Sequence, residues 1–198
     1  MKKILLTLIV LSIGFAVKAQ IQVGVKAGLN VANLKTSGPD YVNGTSPSAL
    51  NSFNGGLIVL VPLFSNFYLQ PEIYYSFQGQ NVSGMDENSI SKYDYLNIPV
   101  LFKYQLKNGA FAETGPQIGF LMSEKFTSGS FSYDPNRIKN IDFSWAFGLG
   151  YKLKTIPLGL DLRYNLGLTN NYQHTESGVV KNSVYQIDLF YLFNLKSP

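Results

Sequence analysis

The sequence predicts an all-β protein: an eight-stranded antiparallel up-and-down transmembrane β-barrel with a cleaved N-terminal signal peptide. Three observations lead there. Apolar and polar residues alternate with a period of two in segment after segment, the signature of strands with one apolar face. At 14% charged and 14% aromatic, with 13 Tyr and 14 Phe in 198 residues, the chain is poor in charge and rich in rings for a water-soluble protein. The links between the strand-like segments alternate between short and long, as in an up-and-down sheet whose turns lie on one side and loops on the other.

The chain opens with MKKILLTLIVLSIGFAVKAQ. Two lysines precede an apolar run from Ile4 to Val17, and small residues stand at Val17 and Ala19, which is the pattern of a secretory signal peptide over residues 1–19. A membrane-spanning helix is the alternative, but it needs about 20 apolar residues and this run is shorter. Residues 20–198 then form a single domain outside the cytoplasm. Lys2, Lys3 and Lys18 belong to the leader, so the formal charge of the remainder is +4 − 3 = +1. With no Lys/Arg-rich run further on, nucleic acid is not an expected partner. The absence of cysteine excludes disulfides, Cys-bound metal and a lipid-modified N-terminal Cys.

Eight strand-like segments follow, at roughly 21–34, 52–62, 67–79, 92–106, 110–122, 140–153, 157–169 and 182–195. Short links are LFSN, KNG and KTI, while residues 35–51, 80–91, 123–139 and 170–181 make long polar loops. The stretch PLGLDLRYNLGLT (157–169) shows the alternation most plainly. Leu158, Leu160, Leu162, Tyr164, Leu166 and Leu168 share one face, and Gly159, Asp161, Arg163, Asn165 and Gly167 the other. The segments around Ile98, Trp145 and Ile187 repeat it.

Volume decides which face is which. An eight-stranded barrel is only just wide enough inside for side chains, so the leucines and rings of every strand do not fit there. Gly24, Gly28, Gly115, Gly119, Gly148, Gly150, Gly159 and Gly167 suit the narrow side. The apolar faces therefore point outward, and a belt so apolar belongs in lipid. Phe67, Tyr104, Tyr151, Tyr191 and Phe193 fall near the short-turn rim, and Phe77, Phe143 and Tyr185 near the long-loop rim, as two aromatic girdles. Pro71, Pro99 and Pro116 each remove a ladder hydrogen bond, which predicts a local bulge or a water-bridged gap.

The same parity turns Lys26, Glu72, Lys103, Glu113, Asp142, Lys152, Asp161, Arg163 and Asp188 inward. Charges of both signs in nearly equal number predict a paired network that plugs the lumen, since unpaired buried charge is costly. No catalytic, cofactor-binding or metal-binding residue is predicted. His174, close to Glu176 and Ser177, and the pair Asp86 and Glu87 read as polar loop surface.

GVKAGLNVANL (24–34), LQPEIYYSFQG (69–79) and YLNIPVLFKY (95–104) resemble the PorT-like outer-membrane β-barrel domain family of Bacteroidetes, and with a leader ending in Ala-Gln the resemblance covers nearly the whole chain. It implies a small outer-membrane barrel; some members belong to a secretion system, and most have no assigned activity. Family members often carry Glu where this chain has Asn97, and the terminal aromatic common in such barrels is replaced by NLKSP after Phe193.

The expected function is a structural or surface-interaction barrel of the cell outer membrane, without catalysis or cofactor. Its partners are outer-membrane lipid and, through long loops carrying Tyr41, Phe126, Phe131 and Tyr133, other envelope or secretion-system proteins. An accessory role in a protein-secretion machine is the alternative; a soluble periplasmic lipid-binding barrel is a weaker one.

Overall fold

In the computed structural model the described residues are 21–37, 46–83, 88–127, 139–171 and 179–194. Residues 1–20 lie outside them, as do His174, Glu176, Ser177, Asp86, Glu87, Tyr41, Phe131 and Tyr133. Eight strands run β1 Gln22–Ser37, β2 Ser46–Phe64, β3 Phe67–Ser83, β4 Asn88–Gln105, β5 Ala110–Thr127, β6 Ile141–Lys152, β7 Leu158–Gly167 and β8 Val179–Asn194. Each pairs antiparallel with its sequence neighbour, and β8 returns to β1, closing the barrel. Closure leaves no open edge, so the ladder satisfies the backbone without help from solvent.

The short links are tight turns. Ser65 adopts φ 49° between β2 and β3, and Gly109 adopts φ 104° before β5, a region where glycine has no steric cost. Several strands extend beyond their sequence-predicted limits, and the extra residues lie at the long-loop ends: β2 begins at Ser46 rather than near 52, and β5 reaches Thr127 rather than 122. Apolar alternation stops where the belt stops, but backbone pairing continues past it through polar residues.

Pro71, Pro99 and Pro116 interrupt pairing without bending the register. Between β3 and β4 the pairs lapse from Pro71↔Val100 to Tyr74↔Asn97, opposite Pro99. Between β4 and β5 they lapse from Pro99↔Gln117 to Phe102↔Thr114, at Pro116. Register shifts occur instead at Asp94/Tyr95, Ala49/Asn54 and Pro62/Phe64.

Along β6 burial alternates at every residue from Ile141 to Leu149. The outward side chains are large and apolar: Phe53 is 66% exposed and Leu149 65%. Rings meet at both rims, Phe67 with Tyr104 at 4.9 Å and Tyr164 with Tyr185 at 4.7 Å between centroids. The one tryptophan, Trp145, lies in the belt, and its indole N–H donates to Thr114 Oγ1 at 2.8 Å while that hydroxyl donates to the Ala146 carbonyl at 2.9 Å. Both polar groups are thus satisfied where lipid offers no partner.

Candidate functional site in the barrel lumen

The inward side chains form layers. Nearest the short turns is an apolar floor of Ile58, Leu60, Phe111, Phe190 and Leu192, with Tyr68 packed against it. Phe111 and Phe190 meet edge to face at 5.9 Å, and glycines on β6 and β7 make the room. A Cβ on Gly150 would fall 2.2 Å from the Phe111 ring, and one on Gly159 equally close to Phe190. Lys103 Nζ stands over the Phe111 ring, 3.4 Å from its centre, a cation held against an aromatic face.

Above the floor lies the charged layer. Lys26, Glu72, Lys103, Glu113, Asp142, Asp161, Arg163 and Asp188 are all at most 5% exposed, and Lys152 is half-buried. Seven of these nine meet. Arg163 is the hub: its guanidinium binds Glu72 in fork geometry, Nη1 to Oε2 and Nη2 to Oε1, both at 2.9 Å. Nη2 also reaches Glu113 at 2.5 Å and Asp161 at 2.7 Å. Lys26 bridges Glu72 at 3.2 Å and Asp188 at 2.8 Å, and Lys103 lies 3.4 Å from Glu113. Three cations therefore face four carboxylates. Such two-pronged, charge-assisted contacts are the strongest that a protein interior makes.

The other two stand apart. Asp142 accepts from Thr169 Oγ1 at 2.8 Å toward the long loops, and Lys152 donates to Gln22 Oε1 at 3.2 Å toward the short turns.

Uncharged polar residues that sequence reading passed over complete the packing. Gln70 donates to Glu72 and Glu113 and accepts from Lys103. Tyr74 donates to Gln117 at 2.7 Å, with Lys26 Nζ 4.7 Å from its ring centre. Asn54 donates to Asp188 and to Asn30, and Gln186 also donates to Asn30. Their positions share the inward parity of the charged residues, and that parity was the signal by which they could have been found. Asn97 is buried at 2% exposure, its side-chain oxygen 2.6 Å from where a Cβ of Gly119 would stand. Toward the long loops Tyr93, Tyr95 and Val180 cluster with Leu121, a second apolar layer over the polar ones.

Among the described residues no group of three or more His, Cys, Asp or Glu is placed to hold a metal ion.

The fold is similar to known small barrels. OprG from Pseudomonas aeruginosa superposes with a TM-score of 0.54 at 12% identity, over 89% of this chain and 98% of that one. Neisserial surface protein A gives 0.51 at 10% identity, over 86% and 97%. At such identities the likeness is one of fold. No curated protein matches. The family profile described as outer membrane protein beta-barrel domain matches residues 15–173, most of the chain, with β1 through β7 inside the match. A closed barrel of eight strands, an apolar belt facing outward and this match agree: the chain belongs to the outer membrane protein β-barrel domain family, and its place is the outer membrane.

Proposed function

We propose that this is a non-catalytic outer-membrane barrel with a side-chain-filled lumen, exported by a leader at residues 1–19, whose role is structural or one of surface contact through its long loops. The observation that carries this reading is the Arg163 hub, buried between two apolar layers and tied to three carboxylates from β3, β5 and β7. A lumen so braced serves as a strut rather than a path for solutes. The exposed belt argues against a soluble periplasmic barrel, which would bury its leucines.

The reading is tested by inserting the purified chain into planar bilayers. It predicts no large, stable conductance; steady porin-like channels would contradict it. A second reading, an accessory part of a protein-export machine, is supported by the likeness of GVKAGLNVANL, LQPEIYYSFQG and YLNIPVLFKY to PorT-like barrels, and co-purification with export components from native membranes would favour it.

A further inference from the structure

Strand register sets lysines side by side on the outer surface at two places. Lys35 on β1 is the cross-strand partner of Lys181 on β8, and Lys92 on β4 is the partner of Lys125 on β5. Like charges directly opposite one another in an antiparallel ladder repel, so each pair costs stability unless an anion lies between them. The two seams are diametrically opposed in an eight-strand ring.

Both pairs stand at the long-loop edge of the apolar belt. On β1, Lys35 continues the face of the exposed residues Val25, Leu29 and Val31; on β8, Lys181 continues that of Ile187 and Tyr185. In a barrel whose long loops face the cell exterior, this is the headgroup level of the outer leaflet. Lys35, Lys92 and Lys125 are exposed and Lys181 is half-buried.

Hydroxyl groups adjoin the first pair. Lys35 Nζ donates to Tyr164 Oη at 3.0 Å, and the Ser183 hydroxyl lies 3.1 Å from the same oxygen. No acidic residue occurs on β1, and the acidic residues of β7 and β8, Asp161 and Asp188, are buried in the lumen. At the second pair the neighbouring acids are Asp94 on β4, which is contacted by the Tyr75 hydroxyl at 3.4 Å, and the half-buried Glu124 on β5, which is engaged in an interaction of its own.

We propose that the Lys35–Lys181 pair and the Lys92–Lys125 pair each seat the phosphate of an anionic lipid headgroup in the outer leaflet. The phosphate relieves the repulsion between the lysines, and the Tyr164 hydroxyl, held in place by the buried Ser183 hydroxyl that donates to it, supplies a further hydrogen bond at the first seat. Basic groups at a membrane surface recognise anionic headgroups in this way.

The test uses the full mature chain in nanodiscs of phosphatidylcholine carrying a minor fraction of phosphatidylglycerol, followed by native mass spectrometry of the lipid that stays bound. The wild type should retain phosphatidylglycerol in preference to phosphatidylcholine. Each lysine removed should weaken retention roughly fivefold, so Lys35→Gln with Lys181→Gln should nearly empty the first seat, while Lys35→Arg with Lys181→Arg keeps it. Unchanged retention in the glutamine variants, or equal retention of phosphatidylcholine, would overturn the proposal. Displacement of the lipid by millimolar inorganic phosphate would overturn the lipid as the occupant. Thermal unfolding guards against misfolding: in pure phosphatidylcholine the glutamine variants should match or exceed the wild type, and adding phosphatidylglycerol should raise the midpoint of the wild type alone. A glutamine variant less stable than wild type in pure phosphatidylcholine would mean the pairs carry no repulsion, against the proposal.

Discussion

Replacing Arg163 by leucine separates the two faces of β7 in a single experiment. Arg163 is 3% exposed and binds Glu72, Glu113 and Asp161. Without it the central layer keeps four carboxylates against two ammonium groups, Lys26 and Lys103, and the cost should be about 3–5 kcal/mol, as for other buried pairs that lose one partner. The geometry of these ion pairs predicts which second change rescues. Asp161 is bridged by Arg163, whereas Glu72 is also bridged by Lys26 and Glu113 by Lys103. Asp161→Asn should therefore restore more of the stability lost in Arg163→Leu than Glu72→Gln does, because the latter strips Lys26 of a counter-charge. The neighbouring residue behaves otherwise. Leu162 is 49% exposed in the middle of the belt, between Leu149 and Ile187 on the adjoining strands, so Leu162→Arg should cost about 2–4 kcal/mol, and no carboxylate neutralisation should recover it. Reversible urea unfolding in lipid vesicles measures the four substitutions singly and in combination, and double-mutant cycles extract the couplings. A harmless Leu162→Arg together with a stabilising Arg163→Leu would refute the assignment of faces.

Three further outcomes are expected. Gly150→Ala should destabilise the barrel by about 1–3 kcal/mol through overpacking, since the new methyl meets both the Phe111 ring and the Leu160 carbonyl, and Phe111→Leu should recover part of that loss in the same unfolding assay. Trp145 emission should be quenched by lipids brominated on the acyl chain and not by aqueous iodide, and Thr114→Val, which leaves the indole N–H without its acceptor, should cost about 1–3 kcal/mol. N-terminal sequencing of the protein from the outer-membrane fraction should begin at Gln20; a chain still carrying its leader there would refute cleavage.

The strands and their faces were legible because lipid imposes one rule on every outward position, and a two-residue period records that rule locally. Partners within the lumen were not. Arg163 meets Glu72 across 91 residues and Lys26 meets Glu72 across 46, and alternation gives direction without depth along the barrel axis. The interior rings were missed for a related reason. Phe111 and Phe190 occupy inward positions where eight strands allow little volume, and they fit because Gly150 and Gly159 lie across from them, a complementarity between strands that no single segment displays. The upper extensions of β2 and β5 were read as loops because beyond the belt both faces meet polar surroundings, while the ladder itself carries no sequence signature.

The seam between β1 and β8 has a kinetic meaning. It is the longest uninterrupted ladder of the barrel, running from Gln22↔Asn194 to Ser37↔Val179, and it joins the first strand exported to the last. Until Asn194 has crossed the inner membrane, β1 has only β2 beside it, and its other edge is open to any strand it meets. The ring cannot be completed in stages as the polypeptide emerges, and contacts this remote in sequence form slowly. Until the last strand arrives the chain is thus an incomplete sheet with a greasy side, and the β1 edge stays the place where mispairing can begin.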